Sequence, residues 1–227
     1  MTSDDQKRAA GEAAAALVEA GMTVGLGTGT TAAWFVKSLA ARAIAVRGVA
    51  TSEATAGLAR SLGIDLIDLD GAGEIDLTVD GADEIGPRLA LIKGGGAALL
   101  REKLVWTASR RCVVIADASK PTKTLGQVPL PIEVVAFGHA TTARRIADLL
   151  ETLGVGGAPR LRSRDGAPVR TDSGNLIYDL ACGAIAAPAD LAAALKAITG
   201  VVEHGLFLNL AERALIGTDA GVITLYP

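Results

Sequence analysis

Between residues 23 and 116 short apolar runs alternate with helix-length segments, and that alternation leaves very few architectures open. The strand-like runs stand at 23–26, 46–50, 66–69, 75–79, 89–92 and 112–116, with helical patterns at about 30–42, 53–62 and 97–109. Runs that are apolar throughout suit strands covered on both faces, so the pattern predicts a parallel sheet with helices on each side. An Ala-rich helical pattern at 5–20 precedes the first run, and Gly21 follows it as a C-cap.

The texture changes at Gly126-Gln127-Val128-Pro129-Leu130-Pro131. Beyond it lies a shorter α+β pattern, with strands near 132–136, 160 and 176–180 and helices at 141–153 and 188–198. Two last apolar runs, 214–216 and 222–225, are short strands suited to rejoin the first sheet. The expectation is an α/β protein with a discontinuous, Rossmann-like parallel-sheet domain, residues 1–128 plus 204–227, and a small α+β domain over 129–203.

Half of the 227 residues are hydrophobic, enough for a sizeable core. A net charge of -3 argues against a nucleic-acid or anionic-membrane partner, so any phosphate site must be local. No basic segment leads into an apolar one at the start, and no run reaches the length of a membrane span. Cys112 and Cys182 lie in apolar segments without metal-ligand spacing and read as core residues in a reducing, cytoplasmic setting.

The densest chemistry lies between residues 80 and 103. Asp80-Gly81-Ala82-Asp83-Glu84 ends an apolar run, which puts Asp80 at the carboxyl end of a strand, where open α/β sheets place their ligands. Lys93-Gly94-Gly95-Gly96 then opens a helix and offers bare N–H groups to an anion. Arg101, Glu102 and Lys103 together sweep about 200 degrees of that helix, so they cannot share one solvent face. Glu102 has Ala98, Leu99, Val105 and Trp106 as its neighbours at three and four residues, which makes it the inward one. A carboxylate on an apolar wall has its pKa raised and suits a general base, although a buried structural ion pair explains the pattern too. Asp83 or Glu84 capping a turn is the plainer reading of the acidic cluster, with Glu84 the more solvated of the two. A lysine at 93 and the shortage of other hard ligands weigh against a metal.

A second glycine segment, Gly25-Leu26-Gly27-Thr28-Gly29-Thr30-Thr31-Ala32, joins the first strand to a helix. Its register Gly27-x-Gly29-x-x-Ala32 fits the looser dinucleotide fingerprint, with Glu53 as a ribose-binding acid. The three threonines favour a monophosphate or sugar oxygens instead, and a purely structural turn stays open. A further strand end, Ile115-Ala116-Asp117-Ala118-Ser119-Lys120, brings another lysine toward the same crevice. His139 and His204 stand alone and read as structural, as do Trp34 and Trp106.

Four ordered motifs carry a resemblance: Gly-Leu-Gly-Thr-Gly-Thr-Thr-Ala at 25–32, Val-Asp-Gly-Ala-Asp-Glu at 79–84, Ile-Lys-Gly-Gly-Gly-Ala-Ala-Leu-Leu-Arg-Glu-Lys at 92–103 and Ile-Ala-Asp-Ala-Ser-Lys at 115–120. Together with Leu-Pro-Ile-Glu-Val at 130–134, Thr-Asp-Ser-Gly-Asn at 171–175 and Gly-Leu-Phe at 205–207, they resemble the ribose-5-phosphate isomerases of the A type over nearly the whole chain. The resemblance implies interconversion of ribose 5-phosphate and ribulose 5-phosphate through an enediolate, in the pentose phosphate pathway, with no metal and no cofactor. It implies Glu102 as the base, with Asp80, Asp83 and Lys93 handling ring opening, hydroxyl contacts and enediolate charge. Thr28, Gly29, Thr30, Thr31, Gly81, Ala82, Gly94, Gly95 and Gly96 would hold the substrate. Lys120 would approach its phosphate, joined by Lys7, and the protein would be a homodimer or homotetramer. Thr30 stands where serine is common, which keeps the hydroxyl, and Ser173 where asparagine is frequent, remote from the crevice. Two rivals are an NAD-binding oxidoreductase, which rests on the loose glycine register and Glu53, and a sugar-phosphate sensor of the repressor kind. The second should carry a basic helix-turn-helix, and none is seen.

Overall fold

The structure, a computed structural model, describes residues 1–227. Helix α1 (Ser3–Ala15) starts at a capping box in which the Asp5 N–H donates to Thr2 Oγ1 (3.2 Å) and the Thr2 N–H donates to Asp5 Oδ2 (3.0 Å). It stops before the expected residue 20, and the Arg42 guanidinium covers the terminal carbonyls of Ala15 and Val18. Next come β1 (Thr23–Leu26), α2 (Thr30–Ala41), β2 (Arg47–Ala50), α3 (Glu53–Ser61) and β3 (Asp65–Leu66). The run expected as a strand to residue 69 ends at Leu66. Asp68 leads instead into a one-turn helix, α4 (Leu69–Ala72). Strand β4 (Leu77–Gly81) follows, and Asp80 is its penultimate residue.

The chain then forms the short pair β5 (Glu84–Ile85) and β6 (Leu91–Ile92), helix α5 (Leu99–Thr107) and the buried strand β7 (Cys112–Asp117). After β8 (Leu130–Val134) come α6 (His139–Thr152), β9 (Pro159–Leu161), the hairpin β10 (Ser163–Arg164) and β11 (Ala167–Pro168), β12 (Leu176–Leu180) and α7 (Pro188–Lys196). The chain finishes with β13 (Val201–His204), β14 (Leu206–Phe207), β15 (Arg213–Thr218) and β16 (Gly221–Leu225). None of these helices is long and apolar enough to cross a membrane.

Two compact units result. The first comprises Met1–Ala82, Arg101–Pro121 and Asn209–Pro227. Its seven-stranded sheet has the order β16-β15-β7-β4-β1-β2-β3 and is parallel except at β16, which pairs antiparallel with β15. Leaving β1, the chain moves outward to β2 and β3, then returns to the other side of β1 as β4. The order therefore reverses between β1 and β4, a switch point of the kind at whose carboxyl ends open α/β sheets place their ligands. Val24, Leu26, Leu77, Val79, Val113 and Ile115 from the sheet pack with Ala10 and Ala14 of α1 and with Phe35, Val36 and Leu39 of α2.

The second unit comprises Asp83–Leu100 and Thr122–Leu208. Its four-stranded antiparallel sheet, β13-β8-β12-β9, buries Ile132, Val134, Leu176 and Leu180 against Ile146 and Leu150 of α6 and Leu191 and Leu195 of α7. Residues 83–100, 122–128 and 204–208 were expected with the first domain and cluster here instead. The reason is pairing: β6 lies between β5 and β14, with Leu206 opposite Ile92 and Phe207 opposite Leu91.

Candidate active site

In the first unit the turn after β1 is shaped by what glycine lacks. A Cβ on Gly27 would lie 2.2 Å from Asp80 Oδ1 and 2.5 Å from Asp80 Cα, so only glycine lets this turn meet the end of β4. Across that approach Asp80 Oδ1 accepts the N–H of Thr28 at 3.0 Å and that of Gly81 at 2.7 Å, and its residue is fully buried. The carboxylate thus ties the two strand ends together at the switch point. Gly29 follows with a φ of 109°, a region that side-chain-bearing residues rarely enter. The Thr28 hydroxyl sits among those of Thr51 (2.7 Å), Ser52 (2.8 Å) and Thr55 (3.1 Å), while Thr55 Oγ1 donates to the Gly27 carbonyl. Thr28 is therefore part of the scaffold. Thr30, exposed, and Thr31, half-buried, stand in the first turn of α2, whose N-terminal N–H groups have no side-chain cap.

Beside this turn, at the carboxyl end of β7, Lys7 and Lys120 converge on Asp117. Lys7 Nζ lies 4.0 Å from Asp117 Oδ2. Burial alone would raise the Asp117 pKa, but hydrogen bonds from Ser119 Oγ and N–H and from Ser3 Oγ, with the Lys120 charge, together hold it below the ordinary range. Asp117 was not picked out from the sequence as a site residue, because its part is to hold two lysines whose sequence positions are far apart.

Helix α5 sorts its charged residues by exposure. Arg101 Nη1 reaches out to Glu53 Oε1 at 2.9 Å, Lys103 is partly exposed, and Glu102 is 4 % exposed on the face shared with Ala98, Leu99, Val105 and Trp106. Glu53, the acid that a ribose-binding role would have needed, is held by Arg101.

In the second unit Lys93 is 2 % exposed, with its Nζ 5.5 Å from the centre of the Phe207 ring and its N–H donating to the Gly205 carbonyl at 2.8 Å. The glycines that follow form a turn, with φ 109° at Gly94, and the helix begins only at Leu99. They are thus not the helix's own first turn, as the spacing had suggested. Gly95 donates its N–H to Asp83 Oδ2 at 2.8 Å. Glu84, expected to be solvated, is 3 % exposed, because its two carboxylate oxygens accept the N–H groups of Gly126 (2.7 Å) and Val128 (3.1 Å) and anchor the segment after β7.

Other polar residues have local work. His139 Nδ1 and the Tyr178 hydroxyl are 2.7 Å apart, and Trp34 Nε1 donates to Asp4. Burial pushes the thiols of Cys112 and Cys182 up to about 12 and about 11, which keeps both unreactive.

Residues 47–221 match the family described as ribose 5-phosphate isomerase A (phosphoriboisomerase A). The ribose-5-phosphate isomerase A of Caulobacter sp. (strain K31) is 68 % identical over 227 residues, the whole of both chains. Among solved structures, ribose 5-phosphate isomerase A of Methanocaldococcus jannaschii is 37 % identical with a TM-score of 0.91 over the whole of both chains. A D-ribose-5-phosphate isomerase in complex with phospho-erythronic acid is 35 % identical with a TM-score of 0.92, also over both whole chains. The chain belongs to the ribose 5-phosphate isomerase A family, enzymes that interconvert ribose 5-phosphate and ribulose 5-phosphate.

Proposed function

We propose that Glu102 moves the proton in this isomerisation. The observation that carries the reading is a carboxylate only 4 % exposed on an apolar helix face, a short step in sequence from a buried lysine and a glycine turn. Glu102 takes the proton from C2 of the open-chain aldose, the C–H pair becomes the C1=C2 bond, and the carbonyl pair moves onto O1. The resulting enediolate is charged, and the Lys93 ammonium is the group suited to stabilise it. Glu102 then returns the proton to C1 while the proton of the O2 hydroxyl is transferred to O1, which leaves the ketose. Asp83 serves ring opening by taking the anomeric hydroxyl proton as the C1–O4 bond breaks and passing a proton to O4, and Asp80 holds the strand ends and accepts from a sugar hydroxyl. Gly81, Ala82 and the N–H groups of Gly94 and Gly96 line the sugar. No cofactor and no metal enter these steps.

The phosphate belongs at the first turn of α2, with the N–H groups after Gly29, the Thr30 and Thr31 hydroxyls, and the Lys7 and Lys120 ammonium groups. Phospho-erythronic acid, which a relative binds, joins a carboxylate to a phosphate. Lys93, and Lys7 together with Lys120, are cations suited to two such anionic groups. The reading also takes the protein as cytoplasmic, in keeping with two buried free thiols, and as a homodimer or homotetramer, in keeping with exposed Phe137, Ile223 and Tyr226. Light scattering on the purified protein measures the last point.

Glu102→Gln tests the central role. The amide keeps the shape but cannot take a proton, so kcat should fall at least about a hundredfold with KM little changed. A variant that keeps more than about a tenth of wild-type kcat rules Glu102 out as the base.

A further inference from the structure

Arg162, just past β9, was not singled out by any motif, yet its side chain makes four hydrogen bonds. Its Nε and Nη2 donate to the two carboxylate oxygens of Asp179, at 2.8 and 2.5 Å, and its Nη1 donates to the carbonyls of Gly94 (2.8 Å) and Gly95 (3.2 Å). Its own N–H donates to Ile177 and its carbonyl accepts from Val169, so the backbone behind the side chain is fixed as well. The pair is largely buried, with side-chain exposures of 17 and 26 %.

A guanidinium is a rigid planar fork: two of its nitrogens clamp the carboxylate and the third is aimed by that clamp. What it is aimed at follows from peptide geometry. No peptide in the chain is cis, so each N–H points opposite to the carbonyl of its own peptide. In the Gly94–Gly95 peptide the carbonyl is on Arg162 and the N–H is on Asp83 Oδ2, at 2.8 Å. In the Gly95–Gly96 peptide the carbonyl is again on Arg162, which turns the Gly96 N–H away from the guanidinium. A run of three glycines has the widest backbone freedom available to a chain, so its conformation has to be imposed from outside.

We propose that Arg162, aimed by Asp179, is a positioning residue for the isomerisation: it sets the two glycine peptides so that Asp83 and the Gly96 N–H face the substrate in fixed directions. The proposal rests on Asp83 and this turn acting on the sugar, and it adds the device that holds them.

Arg162→Lys keeps a positive charge without the fork, and Asp179→Asn keeps the arginine while weakening its aim. Each should lower kcat by about ten- to a hundredfold, the scale of a small misplacement at a reacting centre, with KM changed less than threefold. Thermal melts verify folding, and if one variant fails to fold the other decides. Asp83→Asn and the double variants complete the test. If Arg162 acts through Asp83, combining Arg162→Lys with Asp83→Asn should cost little more than Asp83→Asn alone, whereas combining it with Glu102→Gln should multiply the losses. A folded Arg162→Lys or Asp179→Asn enzyme with kcat within twofold of wild type overturns the proposal, as does full multiplication of the losses with Asp83→Asn. An active Asp83→Asn enzyme would instead overturn the role given to Asp83 itself.

Discussion

The two glycine turns look alike in sequence and share a glycine at φ 109°, yet they are held by opposite means. The turn after β1 is fixed from within. The Cβ position of Gly27 is already filled by Asp80, and three hydroxyls lock that of Thr28. The turn after Lys93 is fixed from outside, by an arginine whose nearest sequence partner in the clamp is 17 residues away. One turn is rigid because nothing else fits; the other because something grips it. A glycine-rich loop is therefore not one kind of object, and its tolerance of substitution depends on which means applies.

The sharpest way to break this comparison is to add one methyl group to each turn. Gly27→Ala must push against the backbone of Asp80, so we expect a loss of about 1–3 kcal/mol or more in stability together with at least about a hundredfold in kcat/KM. In Gly95→Ala the new Cβ meets only the tip of the Asp83 side chain, at 2.8 Å from Oδ1, which can swing aside. Activity should fall about ten- to a hundredfold while the melting temperature moves by no more than a few degrees. Equal losses of stability in the two variants would erase the distinction.

A smaller effect separates the phosphate end from the reacting end. Lys120→Ala should weaken binding of ribose 5-phosphate by about 1.5–3 kcal/mol, the range for hydrogen bonds to charged groups, and leave turnover of unphosphorylated ribose almost unaltered. Equal losses on both sugars would mean that Lys120 supports the fold or the chemistry instead. Smallest is the pH response of the carboxylate between the lysines. The folded-state pKa of Asp117 lies below its unfolded value, so its contribution is fully present above the unfolded pKa and is lost as pH falls through the folded one. Asp117→Asn should therefore flatten the acid side of a melting-temperature profile and leave the slope above pH 6 as it was. An unchanged acid limb would contradict that assignment.

These contrasts also mark what could be read from the sequence. The parallel sheet was legible because β1, β4 and β7 are buried along nearly their whole length, and the return of β15 and β16 to it was legible from two late apolar runs. The three-stranded sheet of the second unit was not. Its strands have two residues each, and although the run at 89–92 marked β6, its partner β14 lies more than a hundred positions downstream, where no local period announces it. Glu102 stood out because its helical neighbours are all apolar. Arg162 did not, because Asp179 and Gly94 lie 17 and 68 residues from it, and an arginine between two short strands looks like surface until its partners are known. Glu84 was misread for the same reason: its partners, Gly126 and Val128, are more than forty residues downstream.

The central claim is that one buried carboxylate carries the hydrogen between the two carbons, and isotope exchange tests it most directly. Ribose 5-phosphate is incubated in D₂O with wild type and with Glu102→Gln, and deuterium at C1 of the ketose and C2 of the aldose is followed by NMR, alongside the affinity of each protein for phospho-erythronic acid. The account predicts exchange and turnover by the wild type, both reduced at least about a hundredfold in the variant, with ligand affinity nearly unchanged. Deuterium incorporation by the variant at more than about a tenth of the wild-type rate would contradict it.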